Sequence, residues 1–302
     1  MIRAALIACL LVSPWAASCL AASEEPITPL PVPQASDPQK IALGERLFND
    51  TRLSGNNGRS CKTCHDINFN GASHAALDPG LDGSRLAFNT LTVFNSTLNF
   101  RFGWAGKDLT LEREIAALLL NPQIMDCASA VAAAKLGADP DMRHRFETVY
   151  GRGPDAESVV DALAAFQRSL ITPGSRFDRW LSGDSGALSE QELAGYRLFK
   201  SLGCIACHQG VNVGGNLYER HGIFHPLARP DPPILRVPSL RNVATTAPYF
   251  HDGSAPTLQA AVRAMGRAQL NSTLTDTQVD SIVAFLRTLT GEYRGKPVGG
   301  AE

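Results

Sequence analysis

Apolar residues recur at helical spacing along most of this chain, and no stretch alternates apolar and polar residues as a half-buried strand does. The first helix starts where Asp37 can cap and Pro38 can occupy the opening position, and Ile41, Leu43, Leu47 and Phe48 then form its apolar stripe. Further helical patterns fall at residues 109–120, 128–135, 141–150, 157–170, 257–265 and 276–289, with a short turn at 177–181. Between them lie an extended Pro-containing lead at 24–36, a Gly/Asp/Asn/Ser-rich loop at 66–89 and a Pro-rich loop at 226–238. The pattern therefore predicts a mainly α fold with long loops.

One segment occurs twice. Gly44-Glu45-Arg46-Leu47-Phe48 stands ahead of Cys61-Lys62-Thr63-Cys64-His65, and Gly195-Tyr196-Arg197-Leu198-Phe199 stands ahead of Cys204-Ile205-Ala206-Cys207-His208. Two cysteines three apart followed at once by histidine are the attachment pattern of c-type haem: both thiols add to the porphyrin vinyl groups, and the histidine reaches the iron. A thioredoxin-like redox pair or half a zinc site would not explain the histidine in both copies. The repeat predicts two cytochrome-c-like haem domains, residues 23–170 and 189–302, joined by a linker at 171–188 that contains Ser182-Gly183-Asp184-Ser185-Gly186.

Composition adds exclusions more than identities. The 302 residues are 44% hydrophobic and 19% charged, enough for roughly two globular domains. A net charge of -1 without a basic run gives no reason to expect nucleic acid or a membrane surface. Arg3, the apolar run 4–12 and the small residues up to Ala22 read as a signal peptide over residues 1–22, too short to span a bilayer, which places the mature chain in the periplasm. Lipoprotein processing before Cys19 is the alternative. Of seven cysteines, four serve the haem motifs and Cys9 and Cys19 lie in the signal region, leaving Cys127 as a buried small hydrophobe and no disulfide framework.

The paired motifs, together with Asn89-Thr90-Leu91-Thr92-Val93-Phe94-Asn95, Trp104-Ala105-Gly106-Lys107 and Pro248-Tyr249-Phe250-His251-Asp252-Gly253, resemble the bacterial di-haem cytochrome c peroxidase and MauG family over residues 39–290. The resemblance implies a peroxidase that reduces hydrogen peroxide to water at the N-terminal haem. Electrons would come from a small cytochrome c or cupredoxin through the C-terminal haem. It makes His65 and His208 the proximal iron ligands, Met265 the second ligand of the electron-transfer haem, and Trp104 the residue that carries charge between the haems. A thioether ligand favours ferrous iron, which suits an entry point for electrons. Asn89, Thr246 and Pro248 match a calcium site between the domains, with a plain structural turn as the alternative. Whether the chain works alone or as a homodimer is left open.

The distal side of the first haem departs from the family. The glutamine and catalytic glutamate of the peroxidases are replaced by Glu114 and Ile124, and the removable histidine ligand by Leu81. Breaking the O–O bond requires a proton to move from the inner to the outer oxygen, which isoleucine cannot do. Glu114 is the preferred acid–base group, with His74, Asp78 and Asp82 on the 66–89 loop as alternatives, and a solvated Glu114 paired with Arg113 or Lys107 as the bland one. Leu81 implies a first haem that is open from the start, with His74, seven residues earlier, as the alternative sixth ligand. The departures also admit a MauG-like enzyme that oxidises tryptophan or tyrosine of a partner protein, or a non-enzymatic di-haem carrier or sensor.

Overall fold

The computed structural model describes residues 25–31 and 37–300; the signal-peptide reading lies outside them. Among the described residues the fold is mainly α. The first half holds α1 (Pro38–Phe48), α2 (Leu111–Leu120), α3 (Ser129–Gly137), α4 (Pro140–Tyr150) and α5 (Ala156–Arg168). The second holds α6 (Arg176–Leu181), α7 (Glu190–Ser201), α8 (Leu258–Leu270) and α9 (Asp276–Arg287). Helix starts follow the capping chemistry of the sequence. The Asp37 carboxylate accepts the N–H groups of Gln39 and Lys40, with Pro38 inside the first turn. Ser189 and Glu192 form a reciprocal capping box on α7, as Thr275 and Gln278 do on α9.

The repeated glycines are explained by helix crossings. On α1, a Cβ at Gly44 would lie 2.0 Å from the Ala162 carbonyl oxygen of α5; on α7, a Cβ at Gly195 would lie 1.8 Å from the Ser281 carbonyl oxygen of α9. Each glycine lets two helix backbones touch, so that Phe48 meets Phe166 and Phe199 meets Phe285 at ring centroid distances of 5.3 and 5.2 Å. Gly195→Ala gains about 1 kcal/mol of helix propensity and loses more to the forced separation, since overpacking costs about 1–3 kcal/mol and the obstacle here is backbone. Guanidinium chloride unfolding is expected to show a lower midpoint with an unchanged slope.

Two apolar cores result. Leu47, Phe48, Ile115, Leu136, Phe146 and Phe166 build the first, and Tyr196, Phe199, Val279, Ile282 and Phe285 the second. Cys127 is buried in the first, as expected of a small hydrophobe. The first and last described segments cross over: Ile27 packs in the second core while Val298 packs in the first. Gly210 N–H donates to Pro26 O at 2.8 Å, and Gly299 N–H to Phe69 O at 2.7 Å. Residues 171–188 are likewise packed, with Phe177 of α6 and Leu188 in the second core.

The absence of strand patterns has small exceptions. β1 (Tyr218–Arg220) pairs antiparallel with β2 (Ile234–Arg236), with Tyr218 opposite Arg236, and β3 (Glu292–Tyr293) pairs with β4 (Lys296–Pro297). Strands of two or three residues are too short to show an alternation. The helix expected at 257–265 continues to Leu270, which places Met265 inside α8 instead of at its end.

Candidate active site

Both Cys-x-x-Cys-His segments fold as the same 3₁₀ turn. Cys61–Thr63 and Cys204–Ala206 are its two copies, and in each the histidine N–H donates to the carbonyl of the first cysteine at 3.0 Å. One turn therefore carries two thiols and an imidazole. None of the four sulfurs is in a disulfide. Burial pushes the thiol of Cys61 up to about 12 and those of Cys64 and Cys204 up to about 11, so all three are neutral.

The two imidazoles are neutral as well. His65 Nδ1 lies 3.1 Å from Gly71 O, and because a carbonyl only accepts, Nδ1 carries the proton and Nε2 keeps its lone pair. Burial pulls His65 below the ordinary histidine range, and pulls His208 down to about 4 against the carbonyls of Val213 and Pro238. His208 Nδ1 is buried without a hydrogen bond of ordinary geometry.

A cavity of about 480 Å³ opens beside the second motif. Cys204, Cys207 and His208 stand on its wall together with Met265 from α8 and Trp104 from the first half of the chain. The three expected calcium positions, Asn89, Thr246 and Pro248, lie on the same wall. The Asn89 amide nitrogen donates to Ala75 O and Ala76 O at 3.1 Å each, which leaves Oδ1 on the other side of the group.

Trp104 is fixed on several sides. It lies in a tight loop closed by the bridge between Phe102 and Asp108, with Gly103 and Gly106 at positive φ. Its Nε1–H donates to Asn89 O at 2.8 Å, and its carbonyl accepts the Arg236 N–H at 2.9 Å. The Arg236 Nε donates to Gly103 O at 3.1 Å, and the Tyr218 hydroxyl to Gly106 O at 2.5 Å. Trp104 is 9% exposed, and its ring lies 6.2 Å from that of His251, edge to face.

Glu114 stands at the same loop, its carboxylate 3.3 Å from where a Cβ on Gly103 would sit. Burial is the main cause that pushes its pKa up to about 7; the nearby Asp108 carboxyl adds to this and Arg236 opposes it. The solvated pairing of Glu114 with Arg113 or Lys107 is therefore replaced by a half-buried carboxyl facing Asp108 and Arg236. Arg113 instead reaches Asp108, at 3.8 Å.

The other distal positions fall elsewhere. Ile124 packs against the first core. Leu81 is held by its N–H to Gln123 O at 2.9 Å, on a loop that Arg59 also grips through Pro79 O and Gly80 O. Asp78 is buried and accepts from Ser73 and Thr90, Asp82 is bonded to Ser84 in an exposed turn, and His74 is an exposed side chain against Phe69. Glu114 adjoins the Trp104 loop, whereas Asp78 is the candidate whose charge acts on His65 and Cys64. Sequence reasoning gave no role to Arg236, His221 or His251. His251 stood inside a quoted motif, whereas nothing local marked the other two.

A family model described as "Di-haem cytochrome c peroxidase" matches residues 38–186, and one described as "Cytochrome c" matches residues 193–290. The chain is 37% identical to a cytochrome c551 peroxidase of Nitrosomonas europaea, over 92% of this chain and 88% of that one. It is 40% identical to the cytochrome c peroxidase Ccp of Escherichia coli, over 89% of this chain and 62% of that one. Among solved structures it resembles a MauG-like protein associated with microbial copper homeostasis, with a TM-score of 0.71 and 28% identity over 89% of this chain and 94% of that chain. The chain belongs to the di-haem cytochrome c peroxidase family and is an oxidoreductase of peroxidase type. Covalent haem c comes with that membership. The residues fit it: each motif offers neutral thiols and a neutral imidazole on one turn, and the second adjoins a largely apolar cavity of ligand-pocket size.

Proposed function

We propose that this protein reduces hydrogen peroxide to water beside the Cys61–Cys64–His65 motif, with electrons entering at the Cys204–Cys207–His208 motif from a small cytochrome c or cupredoxin in the periplasm. Haem, when bound at the two motifs, supplies the iron that takes up peroxide and accepts electrons. What carries the reading is the placement of Cys204, Cys207, His208 and Met265 around one cavity, with Trp104 on the same wall. No helix among the described residues is long and apolar enough to cross a membrane.

The side chains have separable tasks. The cysteines tether, and His65 and His208, kept neutral by burial, offer lone pairs to iron. Met265 offers a softer thioether to the second haem. Trp104 is held rigid by Asn89 and Arg236, so charge can pass across it without movement of the ring. Asn89, Thr246 and Pro248 offer neutral oxygens that suit a hard cation such as calcium, which would brace the wall that holds Trp104. Met265→His is expected to abolish the near-infrared charge-transfer band of methionine–haem ligation while both haems remain attached. Survival of that band would remove Met265 from the coordination sphere.

Glu114 is assigned the proton. As a carboxylate it would take one proton from hydrogen peroxide and return it to the oxygen that leaves as water, while two electrons and two protons per peroxide balance the two waters formed. Because its pKa is pushed up to about 7, the competent carboxylate forms as pH rises through that value. Turnover at limiting peroxide should therefore climb through an acid limb near pH 7. Glu114→Gln should lower kcat/KM by about 100-fold, within the usual reach of a general acid–base group, and should erase that limb. An unchanged profile in the variant would take Glu114 out of the reaction. The linkage to stability has a fixed sign: the folded chain holds this proton more tightly than an unfolded one, so the contribution is present at low pH and is lost as pH rises through about 7.

A further inference from the structure

Two histidines on the wall of the 480 Å³ cavity, His221 and His251, have no part in the peroxide chemistry. His251 is 2% exposed, and its Nε2 is buried without a hydrogen-bond partner. His221 follows β1, and its ring centroid lies 4.8 Å from that of His251. The Nε2 of His221 lies 2.7 Å from Pro232 O; the carbonyl only accepts, so this nitrogen carries a proton and donates. Its Nδ1 is buried and, like Nε2 of His251, has no partner.

The position of His221 is built. Gln269 on α8 accepts the Ile223 N–H at 3.2 Å and donates to Arg220 O at 3.0 Å, while the Phe224 N–H donates to Ala268 O at 2.8 Å. His221 is thereby clamped to the end of the helix that carries Met265, facing His251 across the cavity wall. Two neighbouring ring nitrogens, buried and unpartnered, are a costly arrangement unless the cavity's occupant supplies a hydrogen-bonding partner for each. Haem carries carboxylates of its own, and a carboxylate presents one oxygen to each of two rings. Such charge-assisted hydrogen bonds are the strong ones.

We propose that His221 and His251 together grip one propionate of the second haem, His221 as an imidazolium donating through Nδ1 while its Nε2 stays bonded to Pro232, and His251 donating through Nε2. The assignment rests on the reading that places haem beside Cys204 and Cys207. It makes His221 a positioning residue that adds positive charge close to the electron-entry haem and raises that haem's potential.

The test uses the two-haem protein and its His221→Phe and His221→Gln variants. Intact mass gives the haem count, spectroelectrochemistry the midpoint potential of the second haem, and resonance Raman its propionate-bending band. In the phenylalanine variant the potential is expected to fall and the band to shift, and the glutamine variant, which keeps a donor, should recover part of both. Two attached haems with neither quantity moved in either variant would overturn the proposal while leaving the haem assignment intact. A wild-type mass with a single haem would overturn both. If the phenylalanine variant does not accumulate, the wild-type band in heavy water decides: a shift on exchange of the ring N–H supports the grip, and an unmoved band contradicts it.

Discussion

Trp104→Phe is expected to lower donor-supported peroxide turnover by at least about 100-fold, equivalent to roughly 2.7 kcal/mol of barrier, with both haems still attached. Phenylalanine keeps an apolar ring in the wall but is far harder to oxidise than indole, and it lacks the Nε1–H that holds the ring to Asn89 O at 2.8 Å. The backbone bond from Arg236 N–H to the residue 104 carbonyl survives the change, so the loop should keep its course. Stopped-flow reduction of each haem by a cytochrome donor separates the outcomes. Normal reduction of the second haem and slow delivery to the first are expected. Normal delivery would show that charge crosses by another route.

Asp178→Ala should have the largest effect on stability. Arg241, the largest fully buried side chain among the described residues, donates to Asp178 at 2.7 Å in a pair whose side chains are 1% and 9% exposed. The same guanidinium donates to Val211 O and to Thr28 O, which ties the N-terminal strap to the second core. Loss of the carboxylate leaves a buried cation without a counter-charge, at a cost of about 3–5 kcal/mol. Guanidinium chloride unfolding should show that loss, and the double variant Asp178→Leu/Arg241→Met should recover much of it, because removing both charges also removes both desolvation costs.

What the sequence revealed and what it hid follow from the range of the forces involved. Local chemistry was legible: Asp37 with Pro38 opened α1, and the two haem motifs became identical turns because their geometry is set within five residues. The repeated Gly44 and Gly195 could be seen as a repeat, but their cause, backbone contact with α5 and α9, lies in partners more than eighty residues away. The exchange of the first and last described segments, with Ile27 in the second core and Val298 in the first, leaves no local pattern either.

The site divides the same way. Met265 and Trp104 were singled out separately, one as an iron ligand and one as a carrier of charge between the haems, and only the fold puts both on one cavity wall. Glu114 could be singled out as a residue type at a position, whereas its environment could not: Arg236 reaches it from β2, and burial between those elements sets its proton affinity. His221 lay in a loop with no pattern to mark it, and only the fold brings it to His251.

Two haems and this set of side chains are expected to make a working peroxidase despite Leu81 and Ile124 at the distal positions. Steady-state oxidation of a reduced small cytochrome c by the fully loaded protein tests it most directly. Oxidation is expected to depend on hydrogen peroxide, to consume two equivalents of cytochrome per peroxide, and to need no prior reduction of the protein. Absence of peroxide-dependent oxidation with both haems attached would contradict it.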